Sequence, residues 1–77
     1  MMTNETLLNE LATTSKGFNG AVFSKMLKSK DDLLQVQFVE GETIYTHMQR
    51  IPDGEVKRTI ITHAKAVKLL DAAGYGK

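Results

Sequence analysis

The sequence predicts a small α+β domain, and three observations carry that reading. Apolar residues recur at helical spacing near both ends, at Leu7, Leu8 and Leu11 and again at Ala66, Val67, Leu69, Leu70 and Ala73. Between them the period drops to two, with Leu34, Val36 and Phe38 alternating with Gln35 and Gln37. Turn formers, Gly41 and the triplet Pro52-Asp53-Gly54, cut this middle part into hairpin-length pieces.

Composition bounds the answer. The 77 residues make one domain, 1–77. A chain of this size buries about 60% of the surface it exposes when unfolded, so its core is thin. Hydrophobic content of 42% and charged content of 25% are those of a globular chain rather than a disordered one. With no cysteine, disulfides and thiolate metal sites are excluded. No apolar run nears the roughly 20 residues of a membrane span. The start of the chain lacks the basic and apolar blocks of a secretory signal. A cytoplasmic protein without a membrane partner is expected. The formal net charge of +1 does not by itself imply a polyanionic ligand.

The elements follow in order. A helix is expected over 4–13, capped by Thr3 or Asn4, with Glu5 suited to the positive end of the dipole. The stretch Thr13-Thr14-Ser15-Lys16-Gly17 should end it. Residues 19–29 favour a second helix, because Val22, Phe23, Met26 and Leu27 then share one side. Asn19 would cap it, Phe18 would staple onto Phe23, and Lys28 and Lys30 would sit at its negative end. The expected order is α-α-β-β-β-α with a three-stranded antiparallel meander. The alternative makes this stretch a strand and gives α-β-β-β-β-α with four.

In the meander a tight turn is expected at Gly41-Glu42. Beyond it Ile44 and Met48 share one face, and Tyr45, His47 and Gln49 the other. After the turn at 52–54, Val56 and Ile60 are expected to point inward. Thr62 should cap the last helix and Gly74 should end it, with Tyr75 folded back on the last turn. The tail beyond Tyr75 is expected to fray.

Nothing in the residues spells out catalysis. There is no serine elbow, and His47 and His63 fall on separate elements without metal-ligand spacing. Both read as ordinary structural or surface histidines. The carboxylate pairs Asp31/Asp32, Glu40/Glu42 and Asp53/Glu55 read as solvated turn residues. No catalytic residue, metal or cofactor is expected. Gly17-Phe18-Asn19-Gly20 has the GxxG form of KH-domain loops, but its centre lacks a basic residue and no strand precedes the first helix. Ala12, Gly17 and Val22 fit a helix-turn-helix only loosely, because the turn is one residue too long. Neither family is identified.

The leading functional expectation is a non-enzymatic nucleic-acid-binding or regulatory accessory protein of bacterial or phage type. Lys25, Lys28 and Lys30 would neutralise phosphates from one helix, with Ser24, Tyr45, His47 and Lys57 adding polar or stacking contacts. A homodimer would double that footprint. The alternative is a protein-interaction module (an inhibitor, adaptor or assembly factor) that displays Leu7, Leu8 and Leu11 as an apolar patch. The first expectation depends on residues 19–29 being helical, so that the lysines share a flank.

Overall fold

Thr3 opens the chain's first helix, its hydroxyl accepting the Thr6 N–H at 3.1 Å. The computed structural model describes residues 3–75, so the expectation for the tail at 76–77 lies outside the described residues. Helix α1 runs Asn4–Gly17, four residues beyond its expected end (17 − 13). The hydroxyls of Thr13 and Thr14 explain the extension: they donate back to the carbonyls of Asn9 and Glu10 at 2.9 and 2.8 Å. In that rotamer a threonine is satisfied inside a helix.

The helix closes as a Schellman motif. Asn19 N–H reaches Lys16 C=O at 3.4 Å and Gly20 N–H reaches Ser15 C=O at 2.8 Å. Asn19 and Gly20 both take positive φ, 58° and 83°. Gly20 is required here, because a Cβ would stand 3.0 Å from the Phe38 carbonyl oxygen. Asn19 therefore ends a helix instead of starting one.

The helix expected over 19–29 does not form, and a strand takes its place. Phe23–Met26 is strand β1, paired antiparallel with β2, Asp32–Val39, from Phe23↔Val36 to Met26↔Leu33. Phe23 and Leu27 face the helices with Lys25 between them, so its alternation is imperfect, as a partly covered edge strand permits. Pairing with β2 satisfies its backbone, and that long-range partner is invisible to local periodicity. The rings of Phe18 and Phe23 do meet edge to face, with centroids 6.1 Å apart, across a helix-to-strand turn.

The next turn is Glu40-Gly41, one residue earlier than expected. Both residues have positive φ (52° and 79°), which marks a two-residue type I′ hairpin. Strand β3 is Glu42–Arg50, and β4 is Val56–Ile61 after the Pro52-Asp53-Gly54 turn. That turn is closed by Gly54 N–H to Ile51 C=O at 2.8 Å. Helix α2, His63–Ala72, has the expected Thr62 cap. It ends at Gly74, φ 91°, with Tyr75 N–H on Leu70 C=O at 3.1 Å.

The result is α-β-β-β-β-α: a sheet of order β1-β2-β3-β4 with both helices on one face. Leu8, Leu34, Val36, Ala66 and Leu70 form the sealed centre of the core, with Leu27 and Tyr45 beside them. The Asn4 side-chain amide joins the two helices by donating to the Asp71 carboxylate and to Tyr75 C=O.

Register decides which face each strand residue takes. A two-residue turn pairs even positions of β2 with odd positions of β3, as in Leu34↔His47 and Val36↔Tyr45. The next hairpin then pairs odd with odd, as in Tyr45↔Ile61. Two expectations are thereby reversed. Tyr45 lies in the core, and Ile60 points away from the helices at 76% exposure, with Val56 on the same outer side.

Candidate interaction surface

The residues expected to contact nucleic acid do not share one surface. Lys25 lies on the helix side of edge strand β1, while Ser24 lies on the opposite face. Lys28 and Lys30 are exposed in the turn between β1 and β2, not on a helix flank. Tyr45 is buried with its ring edge to face against His63, centroids 5.5 Å apart. Burial raises the Tyr45 hydroxyl above its ordinary pKa of 10.0, and the ring offers no stacking platform to solvent.

His47 is half-buried rather than exposed, and its Nε2 lies 2.6 Å from the Asp32 carboxylate. Asp32 is thus a strand residue with a specific partner, not a solvated turn residue. His47 and Lys57 do come together. With Gln49, Thr59 and Lys65 they line a shallow cleft of about 400 Å³ between β3, β4 and the start of α2.

The apolar residues expected to mark a protein contact are also placed differently. Leu8 is fully buried, and Leu7 and Leu11 pack against the core, so α1 displays no such patch. A helix of modest amphipathicity needs all three leucines to seal one side of a thin core.

The apolar surface lies instead on the open face of the sheet, which neither helix covers. The register lays its side chains in rows across the strands. One row is Met26, Leu33, Met48 and Arg58; the next is Ser24, Gln35, Thr46 and Ile60. Ile44 and Gln37 form a third, and Asp31, Arg50 and Val56 close one end. Half of the outward positions on the four strands are thus aliphatic or methionine. A one-sided antiparallel sheet facing water carries a polar outer face, and this one departs from that pattern. Met26 is 53% and Ile60 76% exposed.

These residues were legible through parity. Once Leu34, Val36 and Phe38 face the core, any two-residue turn after them sends Ile44 and Met48 outward. The hydrophobicity of β3 alone points the wrong way.

No protein-family model matches the chain, and neither a curated protein nor a solved structure matches it significantly. Among the described residues, no helix is long and apolar enough to cross a membrane.

Proposed function

We propose that the chain is a binding module, not an enzyme, and that it works by covering a protein surface with the open face of its sheet. The observation that carries this reading is the row Met26-Leu33-Met48 with Ile60 and Ile44 beside it, on a face both helices leave bare. Contiguous apolar surface of this kind marks interaction sites on small domains. Methionines suit such a surface, because their flexible, polarisable side chains adapt to a partner's contours. All the aromatic rings in the described strands fall on the helix side, so the open face lacks the stacking groups that grip bases.

The test is the size of the assembly that contains the chain in lysate of its source cells. The wild type should elute well above its own 8.5 kDa, before and after nuclease treatment. The double variant Met48→Lys/Ile60→Lys, checked for folding by circular dichroism, should elute as the free chain. A nuclease-sensitive assembly would favour nucleic acid, with the Lys57 and Lys65 cleft as the place to look. An assembly indifferent to the double variant would rule out the open face as the contact.

A further inference from the structure

We infer that the occupant of the open face is a second copy of this chain, stacked sheet on sheet as a two-fold dimer. The inference rests on reading that face as a binding surface, and adds what covers it.

Both edges of the sheet are guarded. On β1 the strand is only four residues long, and Tyr75 OH donates to the outward Met26 C=O at 2.5 Å. The β4 edge carries Lys57 and Arg58 side by side, and charged side chains on an edge oppose strand addition. Edge-to-edge pairing is therefore disfavoured on either side, and the face remains.

Along β3 the face is complementary to itself. Its charge is divided along the strand direction. One end carries Arg50 and Arg58, with Asp31 3.6 Å from the Arg50 guanidinium. The other end carries Glu42, with Glu40 in the adjoining turn. A two-fold axis along the row Ser24-Gln35-Thr46-Ile60 sets each acidic end against the partner's basic end. It places Arg50 opposite Glu42 of the partner subunit and Met48 opposite Ile44 of the partner subunit.

On the axis, Ile60 meets Ile60 of the partner subunit. Gln35 and Thr46 meet their own counterparts, which are self-complementary because an amide and a hydroxyl each both donate and accept. Stacked sheets lie about 10 Å apart and about 30° off parallel, so these pairings hold at the level of neighbouring rows. Four strands of this length present about 500 Å² a side, or about 1,000 Å² in all, which is the size at which specific association begins.

The inference is tested on the purified chain by sedimentation, with charge exchange as the specific readout. Wild type at millimolar concentration should sediment at twice its chain mass. Glu42→Arg and Arg50→Glu each place like charges in opposition, so each alone should weaken self-association at least tenfold. An equimolar mixture of the two should recover it, because the mixed dimer restores opposite charges at both ends. Ile60→Lys should sediment as the monomer.

A wild type that stays monomeric, a dimer that survives Ile60→Lys, or a mixture that fails to recover would each overturn the second-copy assignment. If the pure chain is monomeric while the lysate assembly still collapses in Met48→Lys/Ile60→Lys, the open face stands as a binding surface and its occupant is another protein. If neither associates, both readings fall.

Discussion

The Ser15 hydroxyl joins α1 to the sheet through two hydrogen bonds: it donates to Ala21 C=O at 2.6 Å and accepts Phe38 N–H at 2.8 Å. Both partners are backbone groups where β1 has not yet begun to pair with β2, so the side chain stands in for a missing ladder bond. Ser15 is fully buried, and alanine would leave both groups unsatisfied. Ser15→Ala should cost about 1–3 kcal/mol, read as a lower urea midpoint at unchanged slope. An unchanged midpoint would mean water replaces the hydroxyl.

Tyr45 carries a pH dependence. Its folded-state pKa is raised by burial, so the folded chain holds the phenol proton more tightly than the unfolded chain does. Its contribution is complete below pH 10 and is lost as pH rises through the folded value. Tyr45→Phe should flatten this alkaline loss, measured as the urea midpoint across an alkaline series. A variant whose midpoint falls as steeply as the wild type's would assign the loss elsewhere.

Among the elements, the β2–β3 hairpin sets the register of the whole sheet. Its turn puts a glutamate, Glu40, at φ 52°, where asparagine or glycine is favoured. Glu40→Asn should therefore stabilise the domain by about 0.5–1 kcal/mol, seen as a higher melting temperature with the register intact. No gain would mean that the Glu40 side chain offsets the strain through contacts of its own.

The segment 17–28 shows where local reasoning stops. Its Phe18–Phe23 contact was expected as a staple at the start of a helix, and the rings do meet, but across a helix-to-strand turn. The conformation between them was not legible: Asn19 and Gly20 suit either end of a helix, and the choice was made by Phe38 and Val36 some fifteen residues away. Caps and turns fared better. Thr3, Thr62, Gly74 and the 52–54 turn each do what their own chemistry requires.

At the scale of the whole molecule, one layer of helices lies on one sheet, and the extents of 35 × 30 × 18 Å are those of a thin slab. Two short helices have enough leucine to cover one side of four strands and none left for the other. That is why the open face exists; the lysines expected on one helix flank are divided between an edge strand and a turn because residues 23–26 pair with β2. Of the expected contact residues, His47 and Lys57 lie in one cleft, on the helix side of the sheet rather than on its outer polar face; the methionine and isoleucine rows were missed.

By itself, the sequence determined the element types at both ends, the caps at Thr3, Thr62 and Gly74, the turn at 52–54 and the alternation of β2. Each of these depends on interactions within a few residues. Only the tertiary structure decided that residues 23–26 form a strand, which face Ile60 takes, and which surface is left uncovered. Those outcomes depend on pairing between distant strands, where a turn's residue count sets the parity of everything beyond it.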